Sequence, residues 1–228
     1  MKTLTDYNVE KFRELKTDLR EPRLKLVTEM ILEESPGQLL DIGCGAGAFS
    51  SRFLSAGYTV HGLDLTEGQV QRARERGVQA VQHELGSGPF PHADASFDVA
   101  FAGEVIEHLV DTSFFLSEIH RVLKPGGCVI LTTPNLASFE NRLRLLFGRY
   151  PIWLEYQLEG GEGHVRAYTP RVLKRQLQKR GFSIERHVGN WVPFIPQRYA
   201  DDVRHPFLAV TGRMFPGWSM DIIVKARK

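Results

Sequence analysis

The sequence predicts an α/β fold laid out on a mostly parallel sheet, and three observations predict it. Leu39, Leu40 and Ile42 form a short apolar run of the kind a strand buried on both faces shows. The run contains Asp41 and passes straight into three glycines at alternate positions, Gly43, Gly45 and Gly47. A second run, Tyr58–Leu63, ends in Asp64, 21 residues after Gly43. Five more strand-like runs, at 78–82, 97–102, 128–133, 182–188 and 219–225, are interspersed with helical patterns.

Taken in order, Asp6–Arg20 reads as a polar helix or arm. Pro22 opens a second helix in which Leu24, Val27, Ile31 and Leu32 recur at helical spacing, and Pro36-Gly37 ends it. Ala48–Ala56 reads as a helix with Phe49, Phe53 and Leu54 on one face and Gly57 as its stop. Thr66 is placed to cap a helix through Arg76, which Gly77 closes. Thr112–Leu123 is amphipathic, with Phe115, Leu116, Ile119 and Val122 inward, and Lys124-Pro125-Gly126-Gly127 stops it sharply. Thr169-Pro170 starts a helix that runs to Arg180.

Two stretches stand outside this repeat. Asn135–Ala167 carries an apolar stripe of Phe139, Leu143, Leu146 and Phe147 interleaved with Arg142, Arg144 and Arg149. Residues 189–217 are long, proline-rich and aromatic, a combination that favours an ordered functional loop. Both are expected to wall the substrate side of the site. The stripe at 137–149 also has the pattern of a helix lying on a membrane surface.

Composition bounds the setting. Apolar content of 42% and charged content of 25% are those of a soluble globular chain. No run approaches the length of a membrane span, and the first residues lack a signal peptide's apolar core. The two cysteines, Cys44 in the glycine loop and Cys128 in an apolar strand, point to a reducing cytoplasm without disulfides. No Cys/His spacing resembles a zinc site, and no metal is assigned. The net charge of +2 hides an asymmetry, with a balance of −6 over residues 1–139 and +8 over residues 140–228. The basic third fits either an anionic substrate or acidic surface, or simply a solvated face.

The chemistry begins at the glycines. A strand that runs through glycines into a helix lets backbone approach a ligand beside the helix's positive end. A carboxylate at the tip of the next strand, here Asp64, is placed to accept from both ribose hydroxyls of a nucleoside. The dinucleotide fingerprint is G-x-G-x-x-G, whereas these glycines run G-x-G-x-G. Asp41 would also repel a pyrophosphate and suits a cofactor with an ammonium or sulfonium end.

With these residues in view, LLDIGCGAG and the Asp64 behind it resemble the class I S-adenosylmethionine-dependent methyltransferases, closest in pattern to the ubiquinone-pathway O-methyltransferase group (methyltransferase type 11). The K-P-G-G turn and the strand ending in Thr133-Pro134-Asn135 extend the similarity over about residues 23–135. The resemblance implies a Rossmann-like seven-stranded, mostly parallel sheet with an antiparallel last strand, helices on both faces and a lid insertion. It implies one domain: a helical arm at 1–36, a cofactor core at 37–133, the lid at 134–168 and the rest of the sheet at 169–228. It implies S-adenosyl-L-methionine as cofactor. Asp41 and the loop Gly43, Cys44, Gly45 and Gly47 would hold its methionine part, with Arg23 on the carboxylate. Asp64 and Leu65 would hold the ribose. Glu84-Leu85 would take the adenine edge, a departure from the Asp-hydrophobic pair of the family, and Glu104 is grouped with these.

Glu104, Glu107 and His108 lie at i, i+3 and i+4 in GEVIEHLVD, which would put them on one helical face beyond a strand end. A proton acceptor, a divalent-ion site and a purely structural role all remain open for them. His164, in GHVRAYT, matches a segment where the family carries a His near the substrate. It is the first choice for the general base, with His108 second; the alternative is a loop histidine that only hydrogen-bonds its surroundings. The acceptor is expected to be a small or lipid-linked metabolite (a quinol precursor, phenol or sugar), with nucleic acid a lesser branch. An NAD-dependent oxidoreductase or a non-catalytic nucleoside-binding module are the rival functions.

Overall fold

Seven strands form one sheet in the order β3-β2-β1-β4-β5-β7-β6. They are β1 (Gln38–Ile42), β2 (Thr59–Asp64), β3 (Gln79–Gln82), β4 (Phe97–Gly103), β5 (Leu123–Pro134), β6 (Ser183–Gly189) and β7 (Asp221–Arg227). β1 to β5 pair in parallel, and β7 runs antiparallel between β5 and β6. The computed structural model describes residues 3–13, 17–154, 163–192 and 206–228.

Side-chain alternation explains why the central strands read as unbroken apolar runs. Along β1, Leu40 and Ile42 belong to one apolar cluster and Leu39 to the other, so the strand is buried on both faces. The first cluster takes in Phe115, Leu116 and Ile119 of α4 (Thr112–Val122) and Leu173 and Leu177 of α6 (Pro170–Lys179). The second takes in Leu24, Val27 and Ile31 of α2 (Pro22–Leu32), Phe49 and Phe53, and Val70 and Ala73 of α3 (Glu67–Glu75). Two helical layers thus sandwich the sheet.

The remaining helices are α1 (Leu4–Phe12), α5 (Phe139–Leu146) and α7 (Pro206–Met214). Caps set the helix starts: Thr3 and Asp6 make a capping box for α1, Asp111 accepts from Phe114 N, and Thr169 accepts from Val172 N. Among the described residues no helix is long and apolar enough to cross a membrane.

Three expectations about elements need correction. The segment after the glycine loop is a 3₁₀ helix, Ser50–Ala56, rather than an α-helix. Thr66 precedes α3 but makes no side-chain cap, because its hydroxyl is bonded to Asp64. The loop expected over 189–217 contains α7.

Candidate active site

The strand order sets the tips of β1 and β2 side by side at mid-sheet, where ligands of open α/β sheets bind. A cavity of about 750 Å³ opens there, lined by Asp41, Gly43, Cys44, Gly45, Asp64 and Leu65 from those two tips. Glu84 and Leu85, Glu104, His108 and Arg23 also line it. Of the residues singled out in the sequence for the site, Gly47, Glu107 and His164 lie outside the wall.

The loop geometry accounts for the glycines. Gly45 takes φ +51°, and a Cβ there would meet nothing within 4 Å, so the backbone itself forms the wall. Its N–H donates to Asp64 Oδ2 at 2.9 Å, while Asp64 Oδ1 accepts from Thr66 N and Thr66 Oγ1 at 2.9 and 3.0 Å. The second strand-tip acid is therefore fixed by the loop it serves. Gly47 (φ +71°) does a different job: a Cβ there would come within 3.1 Å of Ala73 Cα and Val78 Cγ2. It closes the loop onto α3 and is a packing residue.

Asp41 is 3% exposed. Burial pushes its carboxyl up to about 7, with the Ser50 hydroxyl pulling down and the charge of Asp64 pushing further up. Cys44 is buried between these acids, and burial followed by their two negative charges raises its thiol, so it contributes shape and not a thiolate.

The cover of the cavity comes from an unexpected place. Thr3, Leu4, Thr5, Asn8 and Phe12, from the stretch read as a polar arm, all line it. Thr5 Oγ1 donates to Glu84 Oε1 at 2.5 Å, Gln69 Nε2 donates to Phe12 O at 2.9 Å, and the Phe12 ring meets His108 edge-on at 5.1 Å. α1 thus touches the wall at Glu84, at Gln69 and at His108. Among the described residues, none from 135–154 or 206–228 lines it. Residues 155–162 and 193–205, which hold much of the expected lid, lie outside the described residues. α5 instead packs Phe139 against Trp218, with centroids 5.9 Å apart, and leaves Leu146 and Phe147 74% and 73% exposed.

Glu104, Glu107 and His108 do not share a helical face. Glu104 takes φ +55°, and Ile106–His108 is a single 3₁₀ turn, so no helix continues from Glu104 through His108. Glu104 accepts from Thr132 Oγ1 at 2.7 Å and sits 3.5 Å from Arg23 Nη1. Burial works against the Arg23 charge, but Glu104, Glu21 and Asp221 outweigh it and hold the guanidinium's pKa above its usual value. Asp221, which no motif singled out, accepts from Asn190 Nδ2 at 2.6 Å. Burial and the charge of Glu104 lift it to about 8.

Behind the wall, Glu107 is 1% exposed, and its Oε2 accepts from Thr133 Oγ1 at 2.9 Å. Burial, then the charge of Glu104, raises its pKa well above the carboxylate range. Its Oε1 meets no hydrogen-bond partner among the described residues. His108 Nδ1 lies 3.1 Å from Gly163 O and His164 Nδ1 lies 3.0 Å from Trp153 O, with the two rings 4.8 Å apart. A carbonyl oxygen only accepts, so each Nδ1 carries a proton, and the lone pair of the uncharged tautomer falls on Nε2. His108 borders the cavity; His164 stands behind it. One ligating atom from each of Glu107, His108 and His164 falls within 4.8 Å of the others, a donor set that fits a divalent cation.

The comparisons agree with this geometry. A family model described as a methyltransferase domain matches residues 11–187. A malonyl-[acyl-carrier protein] O-methyltransferase of Serratia marcescens is 34% identical over 140 residues, covering 59% of this chain and 49% of the relative. A ubiquinone biosynthesis O-methyltransferase of Agrobacterium fabrum is 27% identical over 166 residues, covering 71% of this chain and 66% of the relative. The chain spans about half the length of the Serratia relative it matches. In fold it is similar to a methyltransferase structure from Thermotoga maritima, described as a possible histamine N-methyltransferase. The TM-score is 0.69 at 20% identity, over 99% of this chain and 98% of the other. With the model spanning most of its length, the chain belongs to the methyltransferase-domain family, whose S-adenosylmethionine-dependent members share its sheet.

Proposed function

We propose that the protein transfers a methyl group from S-adenosyl-L-methionine to a hydroxyl of a small, lipid-linked or carrier-linked acceptor in the cytoplasm. One observation carries this reading: a single cavity is lined by the two strand-tip acids and by an imidazole. When bound, the cofactor supplies an electrophilic methyl on a positively charged sulfur. Asp41 and the loop amides hold its methionine part, with Arg23 toward the carboxylate. Asp64 accepts from the ribose, and Glu84-Leu85 border the base. Phe12 and the rest of α1 exclude water and fix the His108 ring. His108 then takes the acceptor proton. The O-methyltransferase relatives support an oxygen as the acceptor atom.

Calorimetry tests the cofactor and Asp41 together. S-adenosylhomocysteine should bind and NADH should give no heat. Asp41 is partly protonated near pH 7, and pairing with a cationic cofactor end favours its ionised form. S-adenosylmethionine should therefore release a fraction of a proton at pH 7. Its affinity should fall as pH drops below 7, by at most about tenfold per unit, and level off above pH 8. A binding enthalpy independent of buffer ionisation would remove Asp41 from contact with the cation.

A second observation favours peripheral membrane contact through 137–149. Leu145, Leu146 and Phe147 are exposed beside Arg142, Arg144 and Arg149. Leu146→Ser with Phe147→Ser should abolish co-sedimentation with phosphatidylglycerol vesicles; undiminished co-sedimentation would end this reading.

A further inference from the structure

Several arginines on the surface are paired with carboxylates. Arg121 meets Glu118 and Asp94, Arg186 meets Glu33, Arg213 meets Glu29, and Arg227 meets Glu34 and Glu185. α6 and the residue after it gather five cations with no acid among them. Its inner face is Leu173 and Leu177, both fully buried; its outer face carries Arg171, Lys174, Arg175 and Lys179, with Arg180 following. No Asp or Glu occurs from Arg166 through Ile184. No ion pair joins any of these five cations to a carboxylate among the described residues. Like charges held about one turn apart repel, so this face is unfavourable alone and favourable against a negative surface.

The strip begins at the cavity mouth. Arg166 Nη2 donates to Val110 O at 2.6 Å, and Val110 is both a wall residue and 65% exposed. From there α6 runs roughly 15 Å along the flank of the molecule. The neighbouring face of α4 adds no exposed acid, since Glu118 is buried on Arg121.

We propose that α6 is a docking surface for an acidic protein that carries the methyl acceptor on a tether. The inference rests on the methyl-transfer reading above and names how the acceptor arrives. The alternatives fit less well. A lipid surface wants exposed apolar groups, and the outward face of α6 offers only Val172, whereas α5 presents Leu145, Leu146 and Phe147. A nucleic-acid strand would have to lead its phosphates into a mouth carrying Glu21, Glu84, Glu104 and Asp111 against Arg23, which is itself paired with Glu21 and Glu104. A protein that keeps its acidic helix outside on α6, and sends in only a neutral arm, meets neither obstacle.

The full-length protein saturated with S-adenosylhomocysteine should bind purified acyl-carrier protein, the probe chosen for its acidic helical surface, in biolayer interferometry at 50 mM NaCl. The affinity should fall about tenfold or more at 300 mM NaCl. It should fall by a similar factor in the triple variant R171E/R175E/K179E. The milder R175Q/K179Q pair, which keeps the helix formers, should lose about threefold and guards against misfolding of the triple variant. Both variants should retain the wild-type heat with S-adenosylhomocysteine, which separates failure of docking from failure of the cofactor site. Absence of wild-type binding would overturn the proposal, as would variants that bind the carrier like wild type. Binding of phosphatidylglycerol vesicles or single-stranded RNA through these three residues in place of the carrier would overturn it equally.

Discussion

Asp64→Ala should weaken S-adenosylhomocysteine binding by about 1–3 kcal/mol, roughly fivefold to more than a hundredfold. The carboxylate has spare capacity for this role. Oδ2 accepts the Gly45 N–H and Oδ1 accepts the Thr66 N–H and hydroxyl, yet a carboxylate offers about four acceptor sites, leaving one to meet a ribose hydroxyl. The same bonds make Asp64 the strut of the glycine loop, so two effects must be told apart. Asp64→Asn keeps one acceptor oxygen and the side-chain volume while removing the charge, and should lose affinity by less than Asp64→Ala. If both variants keep the wild-type melting temperature and both bind like wild type, Asp64 has no ribose contact. If the melting temperature falls with the affinity, the loop strut is the larger part of its role.

The features legible in the sequence were those written in local chemistry. Apolar runs gave the strands their places, and the strand–glycine–acid order put Asp41, Gly43, Gly45 and Asp64 around one cavity. What stayed hidden depended on contacts between distant segments or on backbone turns that periodicity does not record. The Glu104–Glu107–His108 spacing looked like one helical face because helical periodicity assumes a helix. The chain leaving β4 instead turns through a left-handed Glu104 into one 3₁₀ turn, since Glu104 N must reach Thr132 O on the adjoining strand. The cover from α1 was hidden for a different reason. Only Asn8 of that helix is buried, so no apolar stripe announced that it packs on anything. Its T-x-x-D capping box did mark where it starts, and its polar bonds to Glu84 and from Gln69 do the docking. His164 ranked above His108 in sequence because its loop resembled a substrate-side segment. We propose His108 first instead, because His108 lines the cavity while His164, its ring 4.8 Å from that of His108, does not.

That reversal makes the other large prediction. His108→Gln should lower kcat by about 10²–10⁴-fold, the usual span for loss of a general base, while S-adenosylhomocysteine affinity stays within about twofold. Gln keeps a side chain able to donate toward Gly163 O, so the 3₁₀ turn should survive. His164→Gln should cost less, because His164 is separated from the cavity by His108 and acts only by holding it in place. Equal losses in the two variants would mean that the pair works as a unit with Glu107. Chelation then separates the two ways such a unit can work. A proton acceptor needs no cation, so treatment with EDTA should leave the wild-type kcat unchanged. A loss that a divalent ion restores, and that Glu107→Gln reproduces, would make the three side chains ligands. The acceptor oxygen would then lose its proton on the ion, where a bound hydroxyl is far more acidic than in water.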